Sequence, residues 1–343
     1  APAQVVSDYR EAVQILRAGR VAEAAAALRS HGPEWLPGTL RQVYAAIQTR
    51  DPRFQPLDIQ AAMLLHLEVF RARGVPPLER ARHLDTVWNL ELVSGRVPKD
   101  FHRQCRLLVV LTLQEELMVD DLVHQLGQAL QLFPGDPELL LAKGSLWELL
   151  AELDDVASHR FPATEAIREI ATRTLSLAGS LPTAAVMVDS PKVYEQCARV
   201  YERALRGAPQ LHEARARLGR VLAWAGKPEE AVHALEPLVA DDKTVPARVR
   251  YFALLFHGRA LLVLGRANEA AASYRSAEAL SPGCQTPRVA LSTALRAAGD
   301  LSGARSVMMD VLSGAASNVC PQDPWWDYLL GQAWGADQLA ATL

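Results

Sequence analysis

Apolar residues recur along most of this chain at the three- and four-residue spacing of amphipathic helices. Strict alternation of apolar and polar residues, which indicates a β-strand, is essentially absent over four or more positions. The pattern is weakest between residues 32 and 110, where Pro and Gly divide it into short segments. It therefore predicts an all-α chain, with helices in this weak part near 40–48, 58–72 and 78–92.

The helical pattern repeats in the C-terminal half of the chain. A unit from Tyr251 to Cys284 is followed, after a shift of 34 residues, by a similar unit starting at Gln285. Another unit starts at His212 and is followed by an insertion near residues 241–245. Each unit has a small residue, then a Gly, then a second small residue; these are Gly219, Gly226 and Ala231, then Gly258, Gly265 and Ala270, then Ser292, Gly299 and Ala304.

These residue types fit a hairpin of two closely packed helices. A small residue on each helix lets the two backbones approach where the helices cross, and large residues such as Leu222 and Leu261 fill the seam. Gly226, Gly265 and Gly299 follow the first helix, where a left-handed backbone conformation costs Gly least. Each unit is therefore predicted to be an antiparallel helical hairpin.

The repeat resembles the tetratricopeptide family, whose pattern is W-x2-L-G-x2-Y, then A-x3-F, then P. Leu218-Gly219-x2-Leu222 is followed by Ala231-x3-Leu235, and Gly258-x2-Leu261 by Ala270-x3-Tyr274 and Pro282. The resemblance implies a right-handed superhelical solenoid of antiparallel helical hairpins, in which the first helices line a concave groove.

The resemblance divides the chain into four parts. In the second part, residues 164–177 are predicted to form the first helix that pairs with the helix around Cys197 and Tyr201. The parts are residues 1–136, degenerate hairpins; 137–211, tetratricopeptide-like units with a long loop at 179–191; 212–323, three clear units; and 324–343, a C-terminal capping helix.

Charge and hydropathy exclude several classes of partner. The chain has 36 basic and 39 acidic residues, for a net charge of -3, whereas a general nucleic-acid binder has a clear basic excess. No apolar run reaches the ~18 residues of a membrane span. We expect no nucleic acid and no membrane span, although peripheral membrane association stays open.

Catalytic and ligand-binding motifs are also missing. The sequence has no phosphate-binding Gly loop, HExxH, GxSxG or EF-hand pattern. Met63 with His66, His102 with Cys105, and His257 are interpreted as core or surface residues, not as metal or haem ligands. The acidic residues at 115–121 are explained by a nearby helix start. We expect a non-enzymatic protein with no cofactor and no metal.

The resemblance places arginine and aromatic residues along the concave groove. Both types are enriched at the centres of protein interfaces, and arginine binds carboxylates in a forked geometry. We expect a protein partner, with an acidic or carboxylate-bearing peptide as the first choice. In the alternative interpretation, the arginines are a solvated helix face and the tryptophans complete the cap. The predicted groove residues are Arg217, Arg220, Trp224, Phe252, Leu255, Arg259, Arg296, Trp325 and Tyr328.

The cysteines bear on the compartment. Cys284 and Cys320 fall at the two ends of one hairpin, which an antiparallel arrangement brings to the same side, so a disulfide between them is predicted. Cys105 and Cys197 lie in helical patterns as small core residues. The first residue is Ala1, which fits either removal of a signal peptide or a starting residue chosen for expression of the protein. We expect a secreted or periplasmic protein, with the cytoplasm as the alternative.

These features predict a non-catalytic scaffold or adaptor that binds proteins through the groove, as a subunit of a larger extracytoplasmic assembly. Two alternatives stay open. One is an architectural subunit that packs through its convex face, and the other is a helical-repeat enzyme or a carrier of a small ligand.

Overall fold

The structure, a computed structural model, describes residues 97–116, 118–157, 190–240, 244–313 and 323–329, together with scattered helical positions between 60 and 88. The described secondary structure is entirely helical, and none of these residues belongs to a strand. The chain divides into two compact units, with the boundary between Glu116 and Leu117. The division predicted at 136/137 therefore falls inside the second unit.

Eleven helices have bounds within the described residues. In chain order they are α1 Lys99–Glu115, α2 Val119–Leu132, α3 Pro137–Ala157, α4 Ser190–Gly207, α5 His212–Trp224, α6 Pro228–Ala240, α7 Ala247–Val263, α8 Ala267–Leu280, α9 Gln285–Ala297, α10 Leu301–Leu312 and α11 Pro324–Leu329.

The first unit contains α1 and the helical residues around Met63 and Val87. Its core includes the fully buried Met63, Val87 and Cys105. At its periphery, the guanidinium carbon of Arg106 lies 3.4 Å from the centroid of the Trp88 ring. This face-on contact lets a charged side chain cover an aromatic ring.

The second unit is a row of helical hairpins. Helix α3 pairs with α4, α5 with α6, α7 with α8, and α9 with α10. The second helices α4, α6 and α8 also contact the first helix of the following hairpin, and α5 contacts both α3 and α7. The first helices α3, α5 and α7 therefore lie side by side, and we call the surface that they share the first-helix face.

A small residue on each first helix allows the hairpin to close. A Cβ atom on Gly144, Gly219 or Gly258 would overlap the side chain of Tyr201, Leu235 or Tyr274, respectively, on the second helix. In the last hairpin the buried Ser292 takes this position, and its hydroxyl donates a hydrogen bond of 2.9 Å to the carbonyl of Ala304. The predicted contact between small residues is thus seen for Ser292 and Ala304, whereas Gly219 and Gly258 meet the large side chains of Leu235 and Tyr274, four residues after Ala231 and Ala270.

The first helices end as predicted, on glycines in the left-handed conformation. Gly226, Gly265 and Gly299 have φ angles of 79°, 75° and 89°. After α5, the amide of Gly226 donates to the carbonyl of Ala223 and that of Lys227 to the carbonyl of Leu222. The same pair of bonds follows α7 and α9, which is the Schellman motif.

The hairpin before His212 contains a contact that the sequence analysis does not predict. Helix α4 carries Cys197, Tyr201 and Ala204, as expected, and among the described helices it packs against α3 through Tyr201. Gly144 on α3 has the same role as Gly219 and Gly258. The helix predicted at 164–177 and the loop predicted at 179–191 lie outside the described residues.

The Gly144 contact predicts a specific stability change. Tyr201 is fully buried and its hydroxyl is bonded to Glu148, so its ring cannot withdraw from a new methyl group. Gly144→Ala should therefore lower the free energy of unfolding by about 1–3 kcal/mol, as measured by urea denaturation.

Gly127 provides the matched control. It lies on the exposed side of α2, and an added Cβ would meet nothing within 4 Å. Gly127→Ala should raise the free energy of unfolding by about 0.5–1 kcal/mol through helix propensity alone. A Gly144→Ala protein as stable as the Gly127→Ala protein would contradict the close contact.

Candidate functional site

The first-helix face carries an unusual set of buried polar side chains. Helix α3 contributes Glu148 and Glu152, and α5 contributes Glu213, Arg217 and Arg220. Spacings of three and four residues put each set on one side of its helix, so both sets point to the same face. Buried charges need charged partners or hydrogen bonds, and here the two helices supply them to each other.

Glu148 is the hub of the charged cluster and is buried, with 2% of its surface exposed. Its carboxylate accepts hydrogen bonds from the Tyr201 hydroxyl, from Arg220 Nη1 at 2.6 Å and from the Tyr328 hydroxyl at 2.7 Å. Arg217 Nη1 lies 3.5 Å from Oε1 of Glu148, the oxygen that also accepts from Tyr201. Four elements, α3, α4, α5 and α11, therefore meet at one carboxylate.

The two arginines are almost completely enclosed. Arg217 Nε donates to Glu213 at 2.8 Å, and Arg220 Nη2 donates to Glu152. Burial disfavours their charged forms, but the acidic groups around them outweigh burial and hold the pKa of both guanidiniums well above the usual value. Two permanent positive charges are thus surrounded by three carboxylates of the same chain.

Tyr328 of α11 inserts its side chain into this cluster. Its ring centroid lies 4.2 Å from the guanidinium carbon of Arg217 and 5.1 Å from that of Arg220. The rings of Phe252 and Phe256, one turn apart on α7, each lie 5.1 Å from it, centroid to centroid. We call the five side chains that surround Tyr328 the tyrosine pocket: Glu148, Arg217, Arg220, Phe252 and Phe256.

The tyrosine in this pocket is a neutral hydrogen-bond donor. Burial raises the pKa of Tyr328 well above its usual value, the nearby Arg220 opposes that rise, and Glu148 adds to it. The ring of Trp325 stacks on the Tyr328 ring at 5.6 Å and also contacts Phe256 at 6.1 Å. Two aromatic side chains one helical turn apart therefore fill the face together.

Asp323 fixes the start of the same segment. Its carboxylate accepts hydrogen bonds from the Tyr251 hydroxyl at 3.0 Å and from the backbone amide of Thr286 at 2.9 Å. It also accepts from the amide of Trp325 at 3.0 Å, within its own segment. Residues 323–328 thus connect α3, α5, α7 and α9.

The structure separates the predicted groove residues into two groups. Arg217, Arg220, Phe252, Trp325 and Tyr328 come together in or beside the tyrosine pocket. Leu255 is buried in the core, Arg259 and Arg296 are exposed, and Trp224 is 38% exposed at the edge of the cluster. The Trp224 ring lies 5.9 Å from that of Tyr194 and 6.0 Å from the Arg220 guanidinium carbon.

Sequence reasoning missed several members of the site, among them Glu148, Glu152, Tyr201 and Phe256. Glu148, Glu152 and Tyr201 lie outside the three clear repeat units, so the repeat register gave no reason to single them out. One signal was present for Glu148, which interrupts an otherwise apolar stretch of α3. A charge at such a position needs a partner from another helix.

Two of the histidines that the sequence analysis interprets as core or surface residues contact other polar side chains. Met63 and His66 are both buried, and His66 Nδ1 lies 2.8 Å from His83 Nδ1. His257 Nδ1 lies 2.9 Å from the hydroxyl of Ser273 across the α7–α8 hairpin. Among the described residues, no three His, Cys, Asp or Glu side chains are grouped so that they could hold a metal ion.

The cysteines divide into two kinds. Cys105 and Cys197 are buried free thiols, and burial raises the pKa of Cys197 well above its usual value. Cys284 is disulfide-bonded. Cys320, its predicted partner, lies outside the described residues.

Removal of the negative charge at Glu148 should be costly. Glu148→Gln leaves two buried guanidiniums with less countercharge, and breaking a buried ion pair from one side costs about 3–5 kcal/mol. Urea denaturation should show a loss of this size. The exposed Glu236 gives the control, since Glu236→Gln should change the free energy of unfolding by less than about 0.5 kcal/mol. A loss equally small for both variants would contradict the role of Glu148 as the hub.

The buried His66 predicts a pH dependence of stability. Burial, with the nearby His83, lowers the pKa of His66 to about 3, from an ordinary value of 6.5. The unfolded chain therefore binds more protons between these values, and stability falls as the pH drops below about 6.5, by up to about 1.4 kcal/mol per pH unit. Urea denaturation between pH 7 and 4.5 measures the slope.

His66→Leu should flatten this slope, whereas replacement of the exposed His233 by Gln should leave it unchanged. Equal slopes for wild type and His66→Leu would show that His66 is not the titrating group.

Comparison with known proteins gives no family assignment. A scan against protein-family models finds no model that matches this chain, and a search of curated proteins finds no match. None of the described helices is both long enough and apolar enough to cross a membrane. A functional interpretation therefore has to start from the first-helix face itself.

Proposed function

We propose that this chain is a non-catalytic adaptor that binds a short segment of a partner protein on its first-helix face. In this proposal the hairpins form a tetratricopeptide-like, right-handed superhelix, and the first-helix face is its concave groove. Disulfide-bonded Cys284 supports a place in an oxidising compartment, as a secreted or periplasmic subunit of a larger assembly.

One observation carries the proposal. Helix α11 lies on the first-helix face and contacts α3, α5 and α7 mainly through aromatic side chains. It is a short helix laid across the side of other helices, which is a common way for helical proteins to bind peptides. This contact within the chain supports the proposal that the face holds a peptide segment.

The composition of the face also supports binding. Arginine and aromatic residues dominate the energetic centres of protein interfaces, and the first-helix face concentrates both types around Glu148. Trp224, at the edge, leaves 38% of its surface exposed next to the occupied pocket. A partner segment would find an aromatic contact there without any rearrangement.

A second candidate function rests on the last hairpin. Leu301, Met309 and Leu312 of α10 are 66%, 55% and 74% exposed, and Val289 of α9 is 43% exposed. In the earlier hairpins, the second helix contacts a following first helix. The exposed apolar side of α10 supports an architectural role, in which the array packs against another helical subunit.

Site-specific cross-linking separates the two functions. A photo-reactive phenylalanine analogue is placed at Trp224, at Leu312, or at the control position His233, whose side chain is 90% exposed on a second helix. Adaptor function predicts protein adducts from position 224 in extracts of the source organism. Adducts from position 312 alone would favour the architectural role, and equal adducts from all three positions would contradict both.

A further inference from the structure

The tyrosine pocket recognises a whole tyrosine side chain. Glu148 accepts a hydrogen bond from the hydroxyl group, the guanidiniums of Arg217 and Arg220 lie within cation–π distance of the ring, and Phe252 and Phe256 contact the ring. Each part of Tyr328 therefore has a partner suited to its chemistry. Few core tyrosines need two arginines and a carboxylate for their burial.

The pocket is held in place by residues other than Tyr328. Tyr201 and Arg220 both donate to Glu148, Glu213 holds Arg217, and Glu152 holds Arg220. Without Tyr328, the Glu148 carboxylate still has these partners and the two arginines still have theirs. The helical array therefore keeps the pocket formed when α11 leaves it.

From this geometry we infer that α11 is an internal ligand, and that the pocket's external ligand is a partner segment carrying an unmodified tyrosine in a Trp-x-x-Tyr arrangement. The inference rests on the proposed adaptor function and deepens it. The partner segment and α11 compete for the same site, so the chain's own C-terminal segment regulates access to the face.

The charges of the pocket define which segment fits. Arg217 and Arg220 already bind carboxylates of this chain, so they do not serve as a fork for an acidic ligand, which was the first choice from the sequence. A phosphotyrosine or a carboxylate would place a negative charge beside Glu148, which is unfavourable in a buried site. The ligand is therefore neutral at the group that enters the pocket.

The internal ligand has the advantage of being tethered. A segment in the same chain competes at an effective concentration on the order of millimolar, so an external segment of equal intrinsic affinity binds poorly at micromolar concentration. A partner succeeds when it makes additional contacts, and Trp224, which is 38% exposed beside Arg220, offers an aromatic surface for them.

A peptide titration tests the inference. A fluorescein-labelled peptide with the sequence of residues 321–332, PQDPWWDYLLGQ, is titrated with the full-length chain and followed by fluorescence anisotropy. Tyr328→Ala, which empties the pocket, should bind the peptide at least about tenfold more tightly than wild type. His233→Gln, a change at a side chain that is 90% exposed on α6, should bind it as weakly as wild type.

Peptide variants test the chemistry of the pocket. Against Tyr328→Ala, peptides with phenylalanine or phosphotyrosine in place of tyrosine should each bind about tenfold or more weakly, since one loses the hydrogen bond to Glu148 and the other adds a charge beside it. Equal binding of the tyrosine and phosphotyrosine peptides, or equal binding by wild type and Tyr328→Ala, would overturn the inference.

Two further measurements keep the result decisive. If circular dichroism shows that Tyr328→Ala has lost helix, Tyr328→Phe replaces it, and this variant should bind the tyrosine peptide more tightly than wild type. The oligomeric state of both proteins is measured as well. If Tyr328→Phe or wild type forms a dimer that does not bind the peptide, two copies of the chain exchange α11, and the inference is overturned.

The peptide titration and the cross-linking experiment together test this inference separately from the adaptor function. If no peptide binds, but cross-linking from position 224 still captures a protein, the adaptor function stands and the tyrosine pocket is a purely structural contact. If the peptide binds Tyr328→Ala while position 224 captures nothing, the pocket stands and the adaptor function fails.

Discussion

The burial of one carboxylate, that of Glu148, determines much of the second unit. A lone buried carboxylate is unfavourable, so the fold has to bring Arg217 and Arg220 to it from α5, and hydroxyl groups from α4 and α11. A charge that needs donors from several helices also fixes the relative positions of these helices, and it does so on the face that we propose binds a partner segment.

The same arrangement joins structure and binding chemistry. Because the arginines are paired with carboxylates of the chain, the first-helix face has little free positive charge at its centre, and in the proposed function selectivity there would depend on shape and hydrogen bonding. The aromatic side chains of α7 and α11 supply the contact area, and the hydrogen bond to Glu148 orients the tyrosine side chain. An adaptor with such a face would distinguish ligand side chains by the presence of a hydroxyl group, and not only by their charge.

Much of the fold could be predicted from the sequence because its determinants are local. Gly226, Gly265 and Gly299 mark helix ends through their own backbone preference, and the small residues of each hairpin lie at a fixed distance along the chain. The site could be predicted only in part. Arg220 meets Glu148 across 72 residues, and no periodicity links the two. The match of Gly144 with Tyr201 was missed for the same reason, since residues 158–189 separate their helices.

That separation has a consequence for folding kinetics. The three later hairpins have short connections, so each can form early, at a small entropic cost of loop closure. Helix α3 has to find α4 across a much longer stretch of chain, and the face on which α11 lies is complete only when α3, α5 and α7 are assembled. We therefore expect the hairpins from α5 to α10 to form first and the central carboxylate to receive its last donors late in folding.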